Sequence, residues 1–262
     1  MTGLEKIAAA FEAAHAEGRA ALMPYLTAGY PDRDRFLQDA RQLLEGSDLL
    51  EIGLPHSDPL GDGPVIQASS QQALENGMTV RELFSQVREL ASGGKPVLVM
   101  TYYNPVYCWP GGPQAFLEEL AGAGGAGLIL PDLPPEEADE VRETAARLGL
   151  ATVFLIAPTS TPERLRTVTE ASSGFVYCVS VTGVTGARST VAADVPRMLE
   201  EARSVTDLPL ALGFGVSDRQ TAREAAGHAD GVIVGSAFIS LRAEGKDLGG
   251  LLEELREGVS RS

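Results

Sequence analysis

Glu51 stands inside the apolar run Asp48-Leu-Leu-Glu-Ile-Gly-Leu54, and Asp62 closes the loop that follows. A carboxylate in such a run is costly to bury unless something pairs with it or uses it. Gly53, Pro55, Asp58, Pro59, Gly61, Gly63 and Pro64 are loop formers, so Glu51 sits at the carboxyl end of a strand. A helical pattern resumes at Val65. Two carboxylates at the mouth of one strand suit acid–base chemistry. The alternatives are a structural ion pair for Glu51 and, for the Asp-Gly-Pro at Asp62, ordinary turn and helix-start chemistry.

The remaining reactive residues exclude other mechanisms. The lysines are Lys6, Lys95 and Lys246, none at a catalytic strand end, which argues against Schiff-base chemistry. His15, His56 and His228 are scattered, so no histidine-rich metal centre is expected. His56 beside the carboxylate loop reads as a surface contact. Cys108 and Cys178 lack metal spacing and read as free thiols of a reducing cytoplasm, Cys178 as a buried one. A formal charge of −15 disfavours nucleic acid and anionic membranes as partners. Leu4, Ile7, Ala8, Phe11 and Ala14 form an amphipathic stripe interrupted by charges, so Thr2–Glu17 is expected to be a helix and not a signal peptide.

These groups need a scaffold. Short apolar runs recur at 21–26, 49–54, 97–100, 127–130, 152–156, 175–179, 208–212 and 231–234. Each is apolar on both faces, as in parallel strands covered by helices. Amphipathic segments alternate with them at 33–44, 81–91, 114–121, 136–148, 163–171, 194–203, 218–226 and 248–259. Eight strand–helix units predict an α/β chain closed as a single-domain (β/α)8 TIM barrel spanning 1–262, with an extra N-terminal helix. The gap after the second strand has room for another helix at 65–75. An open doubly wound sheet is the competitor, but no dinucleotide fingerprint follows the first strand.

In such a barrel, reactive groups collect on loops at the carboxyl ends of strands. Three late loops are glycine-rich: Ser180-Val-Thr-Gly-Val-Thr-Gly186, Gly213-Phe-Gly-Val-Ser217 and Gly235-Ser236. Glycine lets backbone N–H groups approach an anion, and a helix starting at Ser236 would aim its positive end at it. Tyr25, Met100, Tyr102, Ile129, Leu155, Tyr177 and Phe214 fall at strand ends and are candidates to line the space between this anchor and the carboxylates. Most such residues in any barrel are simply core. Together the two poles allow a phosphorylated substrate with a flat apolar portion.

The string from Leu50 to Pro64 and the string Ser180–Gly186 closely resemble the tryptophan synthase α subunit family. So do Pro24-Tyr-Leu-Thr-Ala-Gly-Tyr-Pro31, Pro131-Asp-Leu-Pro134 and Gly213-Phe-Gly215. The likeness runs the length of the chain and implies a (β/α)8 barrel that cleaves indole-3-glycerol phosphate to indole and glyceraldehyde 3-phosphate. The family's catalytic glutamate falls on Glu51 and its aspartate on Asp62. Its phosphate contacts fall on Gly186, Gly215, Gly235 and Ser236, and the tyrosine near indole on Tyr177. Thr185 is a further substrate-binding candidate. Tyr25 stands where some members carry Phe, Val181 where some carry Arg, and His56 where another aromatic residue is more usual.

On this resemblance Glu51 moves protons between indole C3 and the glycerol 3′-hydroxyl, its pKa raised by its apolar strand, while Asp62 stabilises positive character at the ring N–H. The expected partner is a β subunit in an αββα heterotetramer, docked on 55–62, 103–105 and 132–135. Pyridoxal phosphate is expected only in that partner, with no cofactor in this chain. The competing readings are a stand-alone lyase and a silent scaffold that activates a β subunit.

Overall fold

The computed structural model describes residues 1–179, 191–213 and 215–260. Its strands are β1 (Ala21–Thr27), β2 (Leu50–Gly53), β3 (Val97–Met100), β4 (Gly127–Ile129), β5 (Ala151–Val153), β6 (Leu155–Ile156), β7 (Val176–Val179), β8 (Leu210–Gly213) and β9 (Gly231–Val234). They form one parallel sheet in the order β5-β4-β3-β2-β1-β9-β8-β7-β6. The two end segments, β5 and β6, are separated only by Phe154, so the chain itself closes the ring. The expected strand 152–156 is therefore two segments, and the barrel has eight staves. At the break, the Tyr177 N–H still donates to the Phe154 carbonyl at 3.1 Å.

Period-two alternation divides the apolar residues into an interior and a sheath. Ala21 and Met23 of β1, Leu98 of β3, Val153 of β5 and Ile233 of β9 fill the barrel. Leu22, Ile52, Val97, Val99 and Leu128 point outward to the helices. The N-terminal helix (Gly3–Ala16) adds Ile7 and Phe11 to the interior cluster, with Phe11 against Phe175 at 5.7 Å between ring centres. That helix starts on a capping box, in which the Thr2 hydroxyl accepts from Glu5 N–H and the Glu5 carboxylate from Thr2 N–H.

Lys95 lies at the opposite end of the barrel from the Glu51 loop, its Nζ donating to the carbonyls of Leu44 and Ser47 at 2.6 and 2.7 Å. Around the carboxyl ends of the strands, three helices matter for the site. Pro64–Glu75 is the additional helix after β2, with Pro64 in its first turn. Ser236–Ala243 follows β9. Tyr103–Tyr107, which contains the expected docking segment 103–105, is a short helix. The Asp132 carboxylate, from the loop after β4, accepts from Tyr103 N–H at 2.9 and 3.1 Å and so supplies the cap that Tyr102 does not. No helix among the described residues is long and apolar enough to cross a membrane.

Candidate active site

Glu51 is the second residue of β2, paired in register with Tyr25 on one side and Leu98 on the other. Its parity turns it into the barrel, where it is fully buried and neither carboxylate oxygen has a hydrogen-bond partner among the described residues. An ionised carboxylate left so would be strongly disfavoured, and burial, reinforced by the charge of Asp62, pushes its pKa up to about 8. The group is thus neutral at pH 7 and close to giving up its proton.

Asp62 is half-buried on the loop between β2 and Pro64–Glu75. Burial pushes it up to about 6, and a hydrogen bond from Tyr102 holds it down. The loop is tied from two sides. Tyr102 Oη accepts from Gly61 N–H at 2.9 Å, and Gln67 Nε2 donates to the Asp62 carbonyl at 2.9 Å. Tyr102 is itself stacked on His56, with ring centres 4.8 Å apart. His56 therefore makes a surface contact that steadies the loop's tyrosine.

Two tyrosines flank Glu51, and both occupy space that glycines leave open. A Cβ on Gly53 would overlap the Tyr25 hydroxyl, and one on Gly213 would stand 2.6 Å from the Tyr177 hydroxyl. Tyr25 and Tyr177 are buried, and loss of solvent holds both phenols protonated. Between them opens a cavity of about 290 Å³ that both carboxylates reach. Gly215, Gly235 and Ser236 also line it. Gly215 has φ +80°, a conformation that favours glycine. Among the described residues no side chain caps the helix that begins at Ser236, so its first N–H groups are available to an anion.

The cavity brings together Glu51, Asp62, Tyr25, Met100, Tyr177, Gly215, Gly235 and Ser236. Tyr102 acts on it from behind, through Asp62. Ile129 and Leu155 are not on its wall: Ile129 is fully buried in the interior cluster, and Leu155 packs on that cluster from its rim. The cavity is eccentric, bounded by β1, β2, β3, β7 and β9, so inward residues of β4 and β6 do not reach it. Thr185, Gly186, Val181 and Phe214 lie outside the described residues. Val65, Ile66, Val216 and Ile233 line the cavity without having been nominated. Ile233 had a usable signal, because it is two residues before Gly235 and shares its face.

Cys178 is buried and its thiol pushed far up by desolvation, whereas Cys108 is exposed; neither forms a disulfide. Among the described residues no cluster of three His, Cys, Asp or Glu side chains is arranged to hold a metal.

Residues 11–257 match the family model described as tryptophan synthase alpha chain. The tryptophan synthase alpha chain of Deinococcus radiodurans is 52% identical over 261 residues, covering 99% of this chain and 96% of that one. That of Streptomyces avermitilis is 49% identical over 246 residues, covering 93% and 88%. Among solved structures, a tryptophan synthase from M. tuberculosis in an open form superimposes with a TM-score of 0.90 at 39% identity, over 98% of this chain and 99% of the other. The tryptophan synthase subunit alpha of Legionella pneumophila gives 0.88 at 32% identity, over 98% and 99%. Both the fold and the sequence along nearly its whole length agree: the chain belongs to the tryptophan synthase alpha chain family, the lyases that cleave indole-3-glycerol phosphate.

Proposed function

We propose that Glu51 and Asp62 carry the retro-aldol cleavage of indole-3-glycerol phosphate, with the phosphate held at Gly215, Gly235 and Ser236. The observation that carries this reading is the pair of carboxylates on one cavity with different environments. Glu51 is fully buried, without a hydrogen-bond partner among the described residues, and raised to about 8, and Asp62 is half-buried and raised only to about 6. Two carboxylates pushed apart in this way divide acid and base roles at neutral pH.

Protonated Glu51 gives its proton to C3 of the ring, which places positive charge on the indole nitrogen. Ionised Asp62 accepts a hydrogen bond from the ring N–H and stabilises that charge as it develops. The Glu51 carboxylate then takes the proton from the hydroxyl on the glycerol carbon bonded to the ring. That carbon becomes the aldehyde, the carbon–carbon bond breaks, and its electron pair returns to the ring as indole leaves. Glu51 ends protonated, ready for another cycle, and no external base is consumed. Tyr25, Met100 and Tyr177 flank the flat ring.

The chain works as one barrel unit, in the cytoplasm, with a β subunit that supplies the pyridoxal phosphate chemistry, and no cofactor belongs to the α chain. An αββα assembly docked over the mouth is supported by Leu60 and Tyr107. These are large apolar side chains 93% and 65% exposed, Leu60 on the loop after β2 and Tyr107 at the end of the short helix after β3. Turnover of the isolated chain and of its mixture with the cognate β subunit tests this reading. Slow cleavage alone, a marked rise on mixing and co-sedimentation are expected. Fast cleavage alone with no co-migration would make it a stand-alone lyase, and no cleavage in either case would make it a scaffold.

A further inference from the structure

Three buried hydroxyls run in line from the cavity to the helix behind it. Tyr25 Oη lies 3.5 Å from Thr27 Oγ1, Thr27 Oγ1 2.6 Å from Ser69 Oγ, and Ser69 Oγ 2.8 Å from the Ile66 carbonyl oxygen. Thr27 and Ser69 are each 1% exposed, so neither hydroxyl meets bulk water and each depends on the partners around it. The direction of the chain is set at its far end. A carbonyl only accepts, so its approach to Ser69 is attractive only if Ser69 donates. Ser69 has a single hydrogen and must therefore accept from Thr27. With the Thr27 hydrogen spent, Thr27 accepts from Tyr25. The Tyr25 oxygen then turns lone pairs, and no hydrogen, toward the cavity.

The position of the ring gives this a consequence. A Cβ on Gly235 would stand 3.1 Å from Tyr25 Cδ1, while the Tyr25 hydroxyl lies over Gly53, two residues beyond Glu51 on the same strand face. The ring thus spans from the anion end of the cavity to the proton-transfer group. A ligand reaching from Ser236 to Glu51 must lie along it. We propose that Tyr25 is a specificity-determining residue: its oxygen, oriented by Thr27 and Ser69, accepts a hydrogen bond from a hydroxyl on the three-carbon segment between phosphate and indole. This rests on the reading of the cavity given above and deepens it. A phenylalanine at position 25 would pack equally well and recognise no hydroxyl.

The test uses the full chain and two ligands: indole-3-glycerol phosphate, followed by KM and kcat, and indole-3-propyl phosphate, which lacks both hydroxyls, followed as an inhibitor. Tyr25→Phe should raise KM for the substrate by about three- to tenfold, the worth of one hydrogen bond, and leave the inhibition constant of the propyl phosphate unchanged. Thr27→Val, which removes the acceptor that fixes the phenol, should do the same, and Thr27→Ser should restore the wild-type values. Should Thr27→Val fail to fold, Tyr25→Phe decides, since it keeps the ring. Equal losses for both ligands would reduce Tyr25 to packing, and an unchanged KM would remove the hydrogen bond; either overturns the assignment alone. A wild-type chain that neither cleaves the one nor binds the other would overturn the underlying reading as well.

Discussion

Arg242 grips Asp39 with two hydrogen bonds, Nε to Oδ2 at 2.6 Å and Nη2 to Oδ1 at 2.8 Å, at a point where both side chains are buried. Arg35 adds a third contact to the same carboxylate at 3.0 Å. The pair locks the helix Ser236–Ala243 to the helix Arg33–Gly46, and the first residue of the former faces the cavity. Removing one member leaves the other charge buried. Asp39→Ala should therefore cost about 3–5 kcal/mol in denaturant unfolding. It should also weaken phosphate-ligand binding, because the anion end of the cavity loses its anchor. A loss below about 1 kcal/mol would mean that Arg242 finds solvent or another partner.

Glu51→Gln keeps the shape and removes the proton carrier. Indole formation should fall by far more than tenfold, while glycerol phosphate binding stays close to wild type. Retention of a tenth of wild-type kcat, a loss of only about 1.4 kcal/mol, would take Glu51 out of the mechanism.

The same variant has a stability signature. Glu51 is held at about 8 in the fold against an ordinary 4.5, so between those values the unfolded chain has released a proton that the native chain retains. Its contribution is greatest below pH 4.5 and is lost as pH rises through 8. Thermal melts of the Gln variant should match wild type near pH 4.5, exceed it increasingly up to about pH 8 and hold a constant advantage above that. Parallel melting curves at all pH values would contradict the burial of an unpartnered carboxylate.

Asp62 must be ionised and Glu51 protonated at the start of the cycle, which predicts a bell-shaped kcat/KM profile with limbs near 6 and 8. Because the two groups interact, these limbs belong to the pair. Tyr102→Phe removes the donor that holds Asp62 down, so the acidic limb should move to higher pH. It also frees the Gly61 N–H, so kcat should fall through a looser loop. An acidic limb that does not move would detach Tyr102 from Asp62.

Gly235→Asp introduces a Cβ tight against the Tyr25 ring and a negative charge beside the uncapped helix end. Gly235→Ala brings only the steric part. The Ala variant should raise KM by a few-fold and the Asp variant by at least about another tenfold, equivalent to about 1.4 kcal/mol of repulsion. Equal effects would show that the anion binds elsewhere.

Much of this arrangement was readable in the amino-acid order, for identifiable reasons. The β3 and β9 runs, 97–100 and 231–234, match the observed strands residue for residue, because buried parallel strands bounded by Pro96 and Thr101, and by Asp230 and Gly235, leave little ambiguity. Glu51 announced itself as a charge in such a run. Position around the barrel was not legible. Met100 and Ile129 are register partners, yet only Met100 reaches the cavity. Alternation reports which face a residue takes, and says nothing of where an eccentric cavity opens. Val65 and Ile66 were missed for a related reason: they line the site from the first turn of an inserted helix, outside the strand-end pattern. The short helix at Tyr103–Tyr107 was hidden because its cap, Asp132, comes from another loop.

The overlap between Gly53 and Tyr25, and between Gly213 and Tyr177, also constrains how such a chain can change. Residues 25 and 53 share one volume, and so do 177 and 213, so a side chain at 53 or 213 requires a smaller one at 25 or 177. A smaller residue at 25 releases room that position 53 can fill with a side chain, moving the wall of the cavity from one strand to its neighbour without altering the barrel. Libraries that randomise the two positions of a pair jointly will reach reshaped cavities that one-at-a-time mutagenesis cannot, since every single enlargement at 53 or 213 meets a phenol already in place.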